Sequence, residues 1–237
     1  MATYSNKIFY QTFLFFFFVT FLLVSQELND ESKSNNSDIY KYLEKNEIII
    51  GDLILNKNQL SNLNKSNAGG GTRNTLWPEG IVYYEIDTVF SDEDKNTILE
   101  AMLDWEDGTP IKFIKRTNEK NYLYIKYRFG GIATSGLGMG KAKQHIFISD
   151  RILKRTMLHE IGHTLGLHHE HQRSDRDLYI NVFPENMSSN YASAITHKYS
   201  TMNVTPYDFL SIMHYSRLHF TSNFKNTIEP KPEYANF

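Results

Sequence analysis

Cysteine is absent from all 237 residues. That excludes a disulfide framework, a thiol nucleophile and a cysteine-rich metal cluster, so stability must come from the core, with a bound metal as the remaining aid. An excess of charge of either sign is also lacking: 25 Lys and Arg face 27 Asp and Glu, a formal net charge of −2. With no basic block, neither a nucleic acid nor an electrostatically attracting membrane surface is an expected partner. The chain has no internal repeat. Its glycine-rich stretch, residues 130–140, lacks the Lys-Ser/Thr ending of a phosphate cradle and precedes a strand pattern rather than a helix. A hydrophobic content of 41 % at this length suits one sizeable domain with a short leader.

Only one long apolar run is present. Residues 8–24, preceded by Lys7 and followed by Ser25-Gln26, read as the core of a secretory signal peptide over 1–25. The run is at the short limit of a spanning helix, so an uncleaved membrane anchor is the alternative. Residues 26–67 are rich in Asn, Ser, Lys and Glu and cannot build a core of their own. They read as a pro-segment with one apolar island, Ile48 to Leu55, and Ala68-Gly69-Gly70-Gly71 reads as the flexible junction to a domain over 68–237. Asn35, Asn64, Asn186 and Asn203 each open an Asn-x-Ser/Thr triplet that can carry a glycan in a eukaryotic host.

Within that domain, apolar patterning predicts strands at 81–86, 111–115, 123–127 and 144–149. Ser91 with Asp94 caps a helix that carries Ile98, Leu99, Met102 and Leu103 on one face and ends at Gly108. Ser149 or Asp150 is the expected cap of a second helix running through Met157, Leu158, Ile161 and Leu165.

That second helix bears the most informative stretch of the chain, His159-Glu160-Ile161-Gly162-His163-Thr164-Leu165-Gly166-Leu167-His168-His169. A helix advances 100° per residue, so His159 and His163 share a face one turn apart and can aim two imidazoles at one metal. Gly166 can adopt the positive φ that ends a helix, letting the chain double back and bring up a third histidine. Three imidazoles leave one tetrahedral position open for water, as catalytic zinc requires. Glu160 is placed to take a proton from that water, so the set is equipped for metal-assisted hydrolysis. His168 competes with His169 for the third position. The HExxHxxGxxH spacing selects His169, leaving His168 and His171 as flanking polar residues.

The residues beyond the third histidine narrow the choice. His169-Glu170-His171-Gln172-Arg173-Ser174-Asp175-Arg176-Asp177 resembles the astacin signature HExxRxDRD, and Ser211-Ile212-Met213-His214-Tyr215 resembles the astacin Met-turn SxMHY. The chain is therefore similar, over roughly residues 68 to 232, to the astacin-family zinc endopeptidases of the metzincin clan. The resemblance implies an α+β fold: a twisted mixed sheet with two main helices, zinc at the floor of a cleft, and an irregular C-terminal subdomain. It implies that the strand at 144–149 is the sheet edge on which extended substrate pairs. It gives Met213 a packing role beneath the histidines, Tyr215 a resting bond to zinc and then a hydrogen bond to the oxyanion, and Glu170 the freed amino terminus of the mature enzyme. Ile49-Ile50-Gly51-Asp52 resembles the pro-segment motif FxGD, with Ile49 in place of Phe, whose carboxylate occupies the open metal position.

Two departures stand out. Lacking the two usual disulfides, the chain resembles the cysteine-free bacterial members, and it stops about 30 residues before the closing helix that astacins reach. The expected whole is a secreted, monomeric zinc endopeptidase made as a zymogen, with one zinc ion on His159, His163 and His169, Asp52 as the latency ligand, and Glu160 and Tyr215 as catalytic residues. Its expected partners are protein or peptide substrates and an activating protease, with no nucleic acid and no membrane once the signal is cut. The alternatives are a non-catalytic zinc-binding module and a membrane-anchored sheddase.

Overall fold

The computed structural model describes residues 47–56, 59, 76–140, 142–189, 191–199, 203 and 205–236. The expected signal peptide, most of the expected pro-segment, the Ala68 to Gly71 junction and the Asn35 and Asn64 triplets lie outside the described residues.

Seven strands form a mixed sheet in the order β1-β2-β6-β7-β5-β3-β4. They are β1 (Glu47–Ile50), β2 (Leu53–Asn56), β3 (Ile81–Ile86), β4 (Lys112–Lys115), β5 (Tyr122–Tyr127), β6 (Thr134–Gly136) and β7 (Lys143–Ile148). The run β4-β3-β5-β7 is parallel, β6 turns back antiparallel to β7, and β2 pairs parallel to β6. A small second sheet joins β8 (Ile180–Val182) to β9 (Ile228–Pro230). Three α-helices lie wholly among the described residues: α1 (Asp92–Gly108), α2 (Lys154–Thr164) and the short α3 (Ala192–Thr196). This is the expected α+β architecture.

Helix α1 starts as the sequence predicts, with the Ser91 hydroxyl accepting from the Asp94 amide at 3.1 Å and three acidic residues in the first turn complementing the helix dipole. Its core face differs from the expected one. Ile98, Ala101 and Met102 are buried, whereas Leu99 and Leu103 are 36 % and 60 % exposed. Residues 99 and 103 sit 100° round from 98 and 102, and the buried Ala101 lies on the same face as Ile98 and Met102. Trp105 completes that face and donates its indole N–H to Leu158 O at 3.2 Å, tying α1 to α2. Between helices and sheet lie Val82, Leu123, Ile125, Ile146, Met157 and Ile161, all essentially removed from water.

Helix α2 is not capped by Ser149 or Asp150. It begins after Leu153, which makes no side-chain cap, because residues 149–153 are spent in a bend that includes Arg151 at φ 54°. The bend is held instead by the buried Asp94, whose carboxylate accepts from the Ile152 amide at 2.9 Å. A residue 58 positions earlier therefore does the work expected of a local cap.

The expected substrate edge also moves. Strand β7 is paired on both sides, by β5 and by β6, because the glycine-rich stretch contributes the short strand β6. Beyond β6, the β1–β2 hairpin extends the sheet through Leu53↔Ser135 and Ile54↔Gly136. The apolar island Ile48 to Leu55 is thus a hairpin added to the β6 edge. At its turn, Gly51 has φ +67°, and a Cβ there would meet Ala194 Cβ and the Tyr215 hydroxyl at 2.8 Å each. Gly51→Ala is expected to unseat the hairpin by backbone strain and contact together, while leaving the core of α1, α2 and β3–β7 intact. Hydrogen exchange should show fast amides at residues 53–56 and unchanged protection in β5 and β7.

Candidate active site

Helix α2 ends in a Schellman turn. Gly166, at φ +100°, donates to His163 O at 2.9 Å, and Leu167 donates to Gly162 O at 2.9 Å. The reversal carries His169 back over the helix. Its Nε2 lies 3.1 Å from His163 Nε2 and 3.3 Å from His159 Nε2.

Each ring is oriented through its other nitrogen. His159 Nδ1 meets Ile212 O at 2.7 Å, His163 Nδ1 meets Leu167 O at 2.8 Å, and His169 Nδ1 meets Gln172 Oε1 at 2.7 Å. A carbonyl oxygen can only accept, so each Nδ1 carries the proton and each Nε2 offers a lone pair to the common centre. The amide of Gln172 is fixed in that sense because its nitrogen donates to Ala194 O at 3.0 Å. Around a tetrahedral zinc at about 2.05 Å, neighbouring nitrogens are about 3.3 Å apart, so the donor set and its spacing fit zinc.

The fourth side is filled by Asp52, which is buried. Its Oδ1 lies 2.9 Å from His169 Nε2 and accepts from the Tyr215 hydroxyl at 2.9 Å, while Oδ2 lies 3.2 Å from His159 Nε2. The group Asp52, His159, His163 and His169 could hold a metal ion as it stands. Burial would raise the Asp52 carboxyl, but the facing His169 and His159 rings hold it well below the usual carboxylate range. Burial would lower His159, yet its hydrogen bond to Asp52 raises it to about 9. Glu160 is buried, and burial together with the facing Asp52 pushes its carboxyl well above the ordinary value. Its Oε2 has no hydrogen-bond partner among the described residues. Beside it opens a cavity of about 340 Å³, lined among others by Ala133, Arg155, His159, Glu160 and His219. Such a site, with three convergent imidazoles, a buried carboxyl whose Oε2 is unpartnered among the described residues, and a phenol, has the parts for hydrolysis of an acyl bond.

Comparison with known proteins decides the family. A family model described as Astacin, a peptidase family, matches residues 70–236. The chain belongs to the astacin family. By that membership it is a zinc metalloendopeptidase. It is 35 % identical over 221 residues to the low choriolytic enzyme of Oryzias latipes, a match covering 87 % of this chain and 76 % of that one. It is also 35 % identical over 161 residues to the dorsal-ventral patterning protein tolloid of Drosophila melanogaster, a match covering 65 % of this chain and only 15 % of the relative. Among solved structures it is similar to high choriolytic enzyme 1, a hatching enzyme zinc-protease from Oryzias latipes, with a TM-score of 0.61 and 32 % identity over 70 % of this chain and 82 % of that one.

Astacin-motif residues outside the histidines act as a scaffold. Gly162 on α2 has no room for a side chain, since a Cβ would stand 2.5 Å from Met213 Sδ. Met213 thus packs directly against the helix that carries His159 and His163. Arg173 pairs with both oxygens of Asp175 at 3.0 Å and with Glu170 at 2.8 Å, and Arg176 donates to His171 O, Ile195 O and Thr196 O. Glu170 is engaged by Arg173 and by the Asp208 amide at 2.9 Å. Its expected partner, a new amino terminus near Ala68, lies outside the described residues.

His168 and His171 are not mere flanking polar residues. His168 is not part of the convergent group, and its ring packs 4.9 Å from that of Tyr199. His171 is buried, donates from Nε2 to Ala194 O at 3.1 Å, and stacks on the Tyr215 ring at 4.0 Å. Helical or turn periodicity does not report such long-range stacking, although the signature that contains both residues marked the segment.

Replacing His159, His163 or His169 by Ala should abolish stoichiometric zinc. Glu160→Gln should keep the metal and lower turnover by several orders of magnitude, because only a proton carrier is removed. Metal analysis and peptide hydrolysis on the same samples check both.

Proposed function

We propose that the chain is a secreted endopeptidase made as an inactive precursor. In this reading His159, His163 and His169 hold one zinc ion, and Asp52 takes the fourth position until the pro-segment is cut. The observation that carries it is the seat of Asp52, whose carboxylate faces two of the three convergent Nε2 atoms at 2.9 and 3.2 Å and also holds the Tyr215 hydroxyl. One side chain thereby blocks the position water would need and occupies the phenol that would donate to the reaction's oxyanion. Gly51 permits the approach, and the backbone bond from the Ser135 amide to Asp52 O at 2.9 Å fixes it.

Zinc, when bound, supplies Lewis acidity toward water and the scissile carbonyl. The remaining work falls to the chain. Glu160, facing the cavity and with its Oε2 free of any hydrogen-bond partner among the described residues, takes the proton of the attacking water and delivers it to the leaving amine. Tyr215, released from Asp52, donates its hydroxyl to the carbonyl oxygen as negative charge develops there. A purely structural zinc module needs neither group, which is why the hydrolytic reading is preferred to a non-catalytic one.

Secretion rests on the apolar run at 8–24, and latency on Asp52. Among the described residues no helix is long and apolar enough to cross a membrane. The substrates are proteins or peptides, and a separate protease near Ala68 is the expected activator of a monomeric enzyme. Asp52→Ala should give an unprocessed precursor that cleaves peptide substrate, whereas the unaltered precursor stays silent. A variant precursor as inert as the parent would refute the latency role.

A further inference from the structure

The hairpin does more than deliver a carboxylate. Side chains alternate along a strand, so the first and third residues after Asp52 share a face, and both Leu53 and Leu55 are fully buried there. They pack in one apolar cluster with Leu137 and Tyr199. Leu137 directly follows β6, and Tyr199 is tied to the segment that orients His169 through its amide, which donates to Gln172 O at 2.8 Å. His168 and His197 stand against the Tyr199 ring at 4.9 and 4.7 Å. The floor under the two leucines is therefore built from the catalytic domain, and it adjoins the histidine cluster.

Two flanks of the same edge strand are then distinguishable. Ala133, just before β6, lines the cavity beside Glu160, and Leu137, just after it, belongs to the apolar seat. The Leu137 carbonyl already accepts a hydrogen bond from the Gln59 side chain at 2.8 Å, so it is available to a chain laid along the edge. Release of the hairpin leaves β6 without its outer partner and leaves Leu137 and Tyr199 without their cover. A peptide added to that edge presents alternate side chains to the same places.

We infer that Leu137 and Tyr199, with His168 behind them, form a substrate subsite for a large aliphatic side chain on the flank of the scissile bond away from the cavity. Leu53 and Leu55 of the precursor fill this subsite in the substrate's stead. The inference rests on the endopeptidase reading. It adds that one position, one to three residues from the cut, is selected for Leu, Ile or Met.

The test uses the full chain after proteolytic processing near Ala68, a peptide library read by position, and a zinc chelator as control. The unaltered enzyme should favour Leu over Ala at that position by about tenfold or more, since each missing methylene in an apolar pocket costs about that much discrimination. Tyr199→Ala, which deepens the seat, should move the preference toward Phe and Trp. Leu137→Phe, which fills it, should move it toward Ala and Ser. Opposite shifts from two variants with normal zinc content cannot come from a general folding defect. Chelator-sensitive cleavage with no preference there, or with a profile that neither variant changes, overturns the subsite and leaves the endopeptidase reading intact. A zinc-loaded processed chain that cleaves nothing in the library overturns both.

Discussion

Three imidazole nitrogens with their lone pairs turned toward one another, 3.1 to 3.3 Å apart on two of their edges, repel unless something positive sits between them. The fold imposes that arrangement by using each Nδ1 proton elsewhere. The acceptors come from the Met-turn at Ile212, from the Schellman turn at Leu167, and from Gln172 within the signature. Three separate pieces of chain must therefore be in register before the site exists. Gly162 and Gly166 make this possible: one admits Met213 against the helix and the other reverses the chain. Arg173 and Arg176, pinned to backbone carbonyls and carboxylates, hold the returning segment in place.

The same constraint accounts for the β1–β2 hairpin. A carboxylate taken out of water is costly unless it is paired and hydrogen-bonded. Asp52 accepts a hydrogen bond from the Tyr215 hydroxyl and faces the His159 and His169 rings at 3.2 and 2.9 Å, where a metal on the three imidazoles would pair it. The hairpin that carries it adds its own strand to β6 and buries Leu53 and Leu55 on Leu137 and Tyr199. Backbone pairing and apolar contact thus hold the strand on which the carboxylate sits.

Much of this was legible in the residues. The spacing from His159 to His169 specified the cluster, Gly166 its reversal, Ser91 the start of α1, and Ile49-Ile50-Gly51-Asp52 the segment that reaches the histidines. What stayed illegible depends on contacts distant in sequence. The α2 start is held by Asp94 from another helix, a contact that the local residues Ser149 and Asp150 do not signal. Strand β6 is three residues long in a glycine-rich stretch, too short for alternation to register, and missing it misplaced the sheet edge onto β7. Leu99 and Leu103 look like core by composition, yet the buried face is the one shared by Ile98, Ala101 and Met102. His168 and His171 pack against Tyr199 and Tyr215, which lie about 30 to 45 positions further along the chain.

A crystal structure of the zinc-loaded, unprocessed full chain tests the central claim most directly. The account predicts one zinc ion held by the Nε2 atoms of His159, His163 and His169, with an Asp52 carboxylate oxygen as fourth ligand at about 2.0 to 2.2 Å. A zinc ion with water in that position and Asp52 turned away from the histidines would contradict it.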